Sequence, residues 1–202
     1  MSRIPATERR TALAHAALAV IGRDGLAAAT TRAIVAEAGM SLASFHYAVA
    51  SRDELLSDVI ELVVAGEGTA TSESLLTDSP DLRSTVRATF SAYLGLVRAD
   101  PGREQAMFEL TQHALRTPAL AELPKQQYGS YQALAAQLLV AGAAVHGTSW
   151  SIPVDALARL VTALTDGITL AWLADRDDAA AETLLDLATD AVMTHTLNGA
   201  PE

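Results

Sequence analysis

The chain has 202 residues, no cysteine, a net charge of −10 and an aromatic content of 4%. The lack of cysteine excludes a disulfide framework and a thiolate metal site, and no uncharged apolar run of about 18 residues signals a membrane span. Half of the residues are hydrophobic, with alanine and leucine dominant, a mix that favours helix over strand and allows a substantial core in one or two domains.

The charge is uneven along the chain. Residues 1–56 hold six arginines and five acids, a balance of +1, whereas residues 57–202 hold eight basic and 19 acidic side chains, a balance of −11. An acidic body behind a neutral-to-basic head suits a protein that meets a polyanion at one end, although an average surface gives the same numbers. No charged-then-apolar leader opens the chain, and a cytoplasmic location is expected.

In chain order, residues 6–23 read as a helix with Leu13, Ala17, Val20 and Ile21 at helical spacing, stopped at Gly25. Arg3, Arg9 and Arg10 suit phosphate contact as well as plain solvation. Thr30 can then cap a short helix whose apolar side is Ile34, Val35 and Ala38. Gly39 can take the left-handed conformation that ends it. Ser41 can cap a second short helix, Leu42 to about Tyr47. Ser51 and Glu54 have capping-box spacing and open a third, over 52–66, with Leu55, Leu56, Val59, Ile60 and Val63 apolar. Two short helices around a glycine turn form the helix-turn-helix pattern, whose second helix enters the DNA major groove.

Across residues 30–55 the chain resembles, without a gap, the DNA-binding segment of the tetracycline-repressor (TetR) family. The match runs through Thr30, Arg32, Ile34, Ala38, Gly39, Ser41, Phe45, Tyr47, Ser51, Arg52 and Leu55. Three positions depart: His46 stands where Tyr is usual, Ala48 where His or Tyr is usual, and Val49 where Phe is frequent. One phosphate contact of the family, from position 48, is thereby absent. The resemblance implies an all-α fold of about nine helices. A DNA-binding head would span 1–56, its linking helix running on to about 66, and a ligand-binding and dimerisation body would span 57–202.

Within the reader, Leu42 and Ala43 are placed to touch thymine methyl groups, the apolar mark in the major groove. Ser44 can hydrogen-bond a base or a phosphate. Tyr47 offers a hydroxyl to a phosphate, Arg52 offers charge near the backbone, and His46 lies on the same helix. Thr30, Thr31, Arg32 and Ser41 stand at helix N-termini, which suit phosphate. Phe45 reads as core. The recognition helix contains no Arg, Lys, Asn or Gln, so specificity leans on Arg32, on apolar contacts and on DNA shape.

Beyond the head, the stretch 66–79 is rich in Gly, Ser and Thr and reads as a loop or a frayed helix end, and as the domain boundary. Ser79-Pro80 opens a helix carrying Val86, Phe90, Tyr93, Leu94 and Val97. Asp100-Pro101 opens another over 101–116, which Thr117-Pro118 breaks. Residues 119–146 form a long helical stretch that Pro124 can interrupt and Gly147 ends. Pro153 opens a helix to about Ala174, and Asp177 or Asp178 caps the last, to about Leu197. No strand pattern and no repeat is evident.

Phe90, Tyr93, Met107, Phe108, Tyr128, Tyr131 and Trp172 are candidates for lining an effector cavity, although side chains of this kind are more often plain core. Glu109 and His113 share a helix face at i, i+4, but no third ligand accompanies them, so no metal is expected. No cofactor is expected, and the absence of G-x-S-x-G, H-E-x-x-H and phosphate-loop motifs argues against an enzyme. For the partner interface, Leu157, Val161, Leu164 and Ile168 recur at three- and four-residue steps, and Leu184, Leu187, Ala188 and Ala191 do so on the last helix. Two such helices and their copies would form a four-helix bundle; an intramolecular core has the same pattern.

The expected function is a homodimeric, ligand-responsive transcriptional regulator. It would be a repressor released from a pseudo-palindromic double-stranded DNA operator by a small, largely apolar, neutral or cationic inducer. No membrane partner is expected. An activator or co-repressor-dependent regulator, and a small-molecule carrier or sensor with a weakened DNA-binding head, are the alternatives.

Overall fold

The computed structural model describes residues 5–74 and 79–197, with side chains from 67 to 74 left aside. Arg3 and positions 75–78 of the predicted boundary stretch lie outside the described residues. The fold is all-α, with nine α-helices among the described residues: α1 Ala6–Asp24, α2 Thr31–Glu37, α3 Leu42–Ala48, α4 Arg52–Ser74, α5 Leu82–Ala99, α6 Pro101–Leu115, α7 Leu123–Val145, α8 Val154–Asp175 and α9 Asp178–Met193. Short 3₁₀ turns occupy Leu26–Ala28 and Pro118–Leu120.

Local chemistry sets most of these ends. Gly25, at φ 84°, closes α1, and Gly39, at φ 63°, lies in the turn after α2; both conformations cost little only for glycine. Asp100 caps α6 by accepting the Arg103 N–H, with Pro101 at the first position. Asp177 does the same for α9 through Ala180 N–H. Some ends differ from expectation. α4 runs on to Ser74 rather than stopping near 66. The cap of α5 is Asp81, which accepts the Ser84 N–H at 2.7 Å, rather than Ser79. α9 stops at Met193, and Thr196–Leu197 pairs antiparallel with Ser149–Trp150 as a two-residue ribbon.

The chain forms two compact units. One comprises Met1–Ala65 with Asp100–Gln127, the other Gly66–Ala99 with Tyr128–Glu202. The segment 100–127 thus groups with the N-terminal helices, whereas the sequence assigns it to the body. A close helix crossing accounts for this: a Cβ placed on Gly22 of α1 would stand 2.9 Å from the Gly102 carbonyl oxygen of α6.

In the first unit α1 packs on α2, α3 and α6, and Leu13, Ile34, Phe45, Leu55, Leu56 and Leu110 are among its fully buried side chains. In the second unit Phe90, Leu94, Val97, Leu139, Leu157, Ile168, Trp172, Leu185 and Val192 form one core cluster. Helix α8 has the length and mean hydropathy (1.3) of a membrane span, but its Leu157, Ala158, Thr162, Ile168, Thr169 and Trp172 are buried in this protein core.

Candidate nucleic-acid interface and effector site

The reader is assembled from short-range caps. Thr30 Oγ1 accepts the Ala33 N–H at 3.2 Å, and Ser41 Oγ accepts the Ser44 N–H at 3.2 Å. Ser51 Oγ accepts the Glu54 N–H at 3.0 Å, while the Glu54 carboxylate reaches back to the Ala50 N–H at 2.7 Å. The capping box is therefore closed one residue earlier than its simplest form. Phe45 is buried, as its apolar position requires, and pins α3 to the unit. The opposite face of α3 presents Leu42, Ala43, His46 and Tyr47 to solvent; Tyr47 is 61% exposed. Thr30, Arg32 and Ser41 are exposed beside it, and Thr31 and Ser44 are half-buried.

The arginines divide by role. Arg10 donates to both Asp58 oxygens, at 2.6 and 2.7 Å, and to Glu54 at 2.6 Å. The Asp58 hydrogen bonds hold its guanidinium well above the ordinary arginine range. The Ala50 N–H, followed by Arg10, holds the Glu54 carboxyl below the ordinary carboxylate range. Arg23 pairs with Asp24 and Glu37. Arg52, read from the sequence as a charge near the DNA backbone, is engaged within the protein. Its Nε donates to the Ala29 carbonyl and its Nη2 to the Leu26 carbonyl, both at 2.8 Å, so the fork is turned inward on the turn before α2. Arg9, by contrast, stands over the Tyr47 ring at 5.2 Å and brings a cation to the exposed face of α3.

In the second unit, Phe90 and Trp172 belong to the core cluster rather than to a polar lining. The Trp172 Nε1–H donates to Asp178 at 2.9 Å, and Arg176 stacks on the indole at 4.4 Å. Tyr93 shares a 2.9 Å hydrogen bond with Thr169. The Tyr128 hydroxyl donates to Asp166 at 2.7 Å, and Tyr131 meets the Tyr128 ring edge-on at 6.0 Å. Met107 and Phe108 lie in the other unit, Met107 buried there and Phe108 half-buried. The candidates thus divide between the two units. What the sequence reading overlooked is a polar face on α8: Thr162, Thr165, Asp166 and Thr169, at i, i+3, i+4 and i+7, all buried or half-buried. Four polar positions on one side of a largely apolar helix were the available signal.

The predicted partner face is likewise redistributed. Leu157, Ile168 and Ala188 are buried in their own unit's core, so they are not available to a partner. Val161, Leu164 and Ala191 are half-buried, while Leu184 and Leu187 are exposed. Leu170, left outside the predicted stripe, is 58% exposed.

Residues 13–59 match the sequence pattern described as "Bacterial regulatory proteins, tetR family". Residues 82–196 match "BetI-type transcriptional repressor, C-terminal". The chain belongs to the TetR family. It is a DNA-binding transcriptional regulator with a ligand-binding C-terminal region. The nicotine-responsive transcriptional repressor HdnoR of Paenarthrobacter nicotinovorans is 29% identical over 195 residues, covering 95% of this chain and 97% of its own. Among solved structures, a transcriptional regulator from Rhodococcus sp. Rha1 shares the fold at TM-score 0.74 and 20% identity, over 95% of this chain and 99% of that one. The multidrug binding protein EbrR, complexed with imidazole, does so at TM-score 0.66 and 23% identity, over 95% and 97%. A carrier with a decayed head is not favoured, since the TetR pattern extends across the reader despite His46 and Ala48. The family is one of regulators rather than of enzymes. Among the described residues no three His, Asp or Glu side chains stand together as metal ligands.

Proposed function

We propose that this TetR-family regulator represses transcription as a cytoplasmic homodimer, with no catalytic step of its own, and that a small organic effector releases it from DNA. Each protomer lays the exposed face of α3 into a major groove of a pseudo-palindromic operator, with Leu42, Ala43 and Ser44 against base edges. Tyr47, Arg32 and the α2 and α3 caps lie against phosphates. The observation that carries the reading is the α3 surface itself: four exposed side chains, Leu42, Ala43, His46 and Tyr47, on a helix pinned from behind by buried Phe45 and flanked by Arg9 and Arg32. Phosphate charge supplies affinity, and apolar base contacts supply preference.

Dimerisation makes the second half-site contact effectively intramolecular, which raises affinity by roughly 10²–10⁴. The partner face we assign is the exposed side of α8 and α9, centred on Leu170, Leu184 and Leu187. The effector is largely apolar and neutral or cationic, because the second unit is rich in aliphatic and aromatic side chains and poor in cations. A relative named for its response to nicotine supports a small organic molecule. Release requires only that the effector bind the DNA-incompetent arrangement better than the competent one.

The test is a gel shift on the DNA flanking the protein's own gene, over a salt series. Affinity should fall steeply with salt and depend on an inverted repeat. Equal affinity for scrambled DNA of the same length overturns operator recognition.

A further inference from the structure

We propose that Asp166 is the recognition group for a cationic amine, so that the effector is a small apolar molecule carrying one positive charge. The proposal rests on the reading of the second unit as effector-binding. Asp166 sits on the polar face of α8 with Thr162, Thr165 and Thr169. It accepts one hydrogen bond, from Tyr128 at 2.7 Å, and Tyr131 packs edge-on against that tyrosine.

No cation of the unit answers this carboxylate. The unit holds five arginines and no lysine, the positions outside the described residues included. Arg83 pairs with Asp190, Arg87 with Glu182 and Asp186, and Arg98 with Asp178 and Glu182. Arg176 lies on Trp172. Arg159 is exposed and two turns back along α8, roughly 10 Å away along the axis. His146 is bonded to Thr85 at 2.7 Å. Asp178, Glu182, Asp186 and Asp190 are answered by arginine; Asp166 has only a neutral hydroxyl. Its burial pushes the carboxyl above the ordinary carboxylate range, and no neighbouring charge opposes this. A half-buried anion beside two tyrosine rings, without an arginine or lysine partner in its unit, is complementary to an ammonium group, which donates a charge-assisted hydrogen bond to the carboxylate and is attracted by the ring faces.

The test uses the full chain and three probes of one shape: 4-phenylbutylamine, 4-phenylbutan-1-ol and 4-phenylbutyrate, titrated by calorimetry. The amine should bind at least about tenfold more tightly than the alcohol, and the butyrate least. Asp166→Asn, nearly isosteric, should abolish the amine's advantage and leave the alcohol's affinity unchanged. Tyr128→Phe should retain the preference for the amine, because the carboxylate remains. Circular dichroism melts confirm that both variants fold. An amine preference that survives Asp166→Asn overturns the role of Asp166. Equal binding of amine and alcohol to the wild type overturns the cationic class but leaves the effector reading standing. No binding of any probe at millimolar concentration overturns both.

Discussion

Glu109 on α6 accepts the backbone N–H of Leu26 at 2.9 Å. The carbonyl of that same residue accepts from Arg52 at the start of α4. The turn leading into α2 is thus gripped on one side by a carboxylate and on the other by a guanidinium, and both grips orient the reader.

This arrangement predicts how Arg52 acts. Arg52→Ala leaves two carbonyls without their charged donors, at a cost of about 1–3 kcal/mol. It should lower the melting temperature by several degrees and weaken binding to all DNA sequences alike. Arg52→Lys should restore little, because an ammonium lacks the planar fork that spans the Leu26 and Ala29 carbonyls. Thermal melts and gel shifts on the two variants check this; full recovery of DNA affinity by lysine would mean that the residue works by charge on phosphate.

These two residues also mark what the sequence can and cannot reveal. The caps at Thr30, Ser41, Asp100 and Asp177 are legible because donor and acceptor lie within three residues of each other. So is the inward Phe45. Asp81 and Ser79 are competing caps around Pro80, and local preference alone favours the wrong one. The partners of Arg52 lie 23 and 26 positions away, and only the folded turn brings them to the guanidinium. Similarly, Glu109 reads as half of a solvent-facing pair with His113 until α6 docks beside α1. On α8 apolar residues lie on more than one side of the helix, so periodicity cannot say whether Ile168 or Leu170 points inward.

The α1–α6 crossing predicts opposite outcomes for two glycines. Gly22→Ala brings a methyl to 2.9 Å from the Gly102 carbonyl oxygen. Backbone must move to admit it, at a cost of about 1–3 kcal/mol. Gly95, within α5, has nothing within 4 Å of its added Cβ. There alanine only removes unfolded-chain entropy, so Gly95→Ala should stabilise by about 0.4–1 kcal/mol. Urea melts read both; a neutral Gly22→Ala would show that the crossing is looser than its geometry.

The buried carboxylate predicts a pH dependence of defined sign. Burial raises the folded-state affinity of Asp166 for its proton above that of the unfolded chain. Stability linked to it is therefore fully present below the unfolded value, about 3.9, and is lost as pH rises through the raised folded value. At neutral pH the charged side chain weakens the fold. Asp166→Asn should then melt higher than wild type at pH 7.5, with the difference shrinking as pH approaches 4. Asp178 and Glu182 act in the opposite sense. Trp172 and then Arg98 hold Asp178 down, Arg87 and Arg98 hold Glu182 down, and their contribution disappears as pH falls below the carboxylate range. Both proteins share that loss, so the difference between their melts isolates Asp166. A variant less stable than wild type at pH 7.5 contradicts the sign.

The partner face gives the last prediction, and the burial pattern makes it discriminating. Leu170 and Leu187 are each 58% exposed, whereas Ile168 is buried at 4%. On α8, Ala163, Gly167, Leu170 and Ala174 recur at steps of four, three and four on the exposed side. On α9, Leu184 and Leu187 stand three apart on its exposed side. Small residues beside leucines let two helices approach closely and interdigitate. A glutamate at position 170 or 187 stays solvated in the protomer but would be buried without a partner charge in a dimer, costing several kcal/mol. Leu170→Glu and Leu187→Glu should therefore melt as cooperatively as wild type, sediment as monomers and bind operator DNA about 10²-fold or more weakly. Ile168→Glu forces the same charge into the protomer's own core and should abolish the cooperative melt altogether. If the two surface variants remain dimers with full DNA affinity while Ile168→Glu alone fails, the dimer is built on another face, and the exposed leucines of α8 and α9 have no part in pairing the heads.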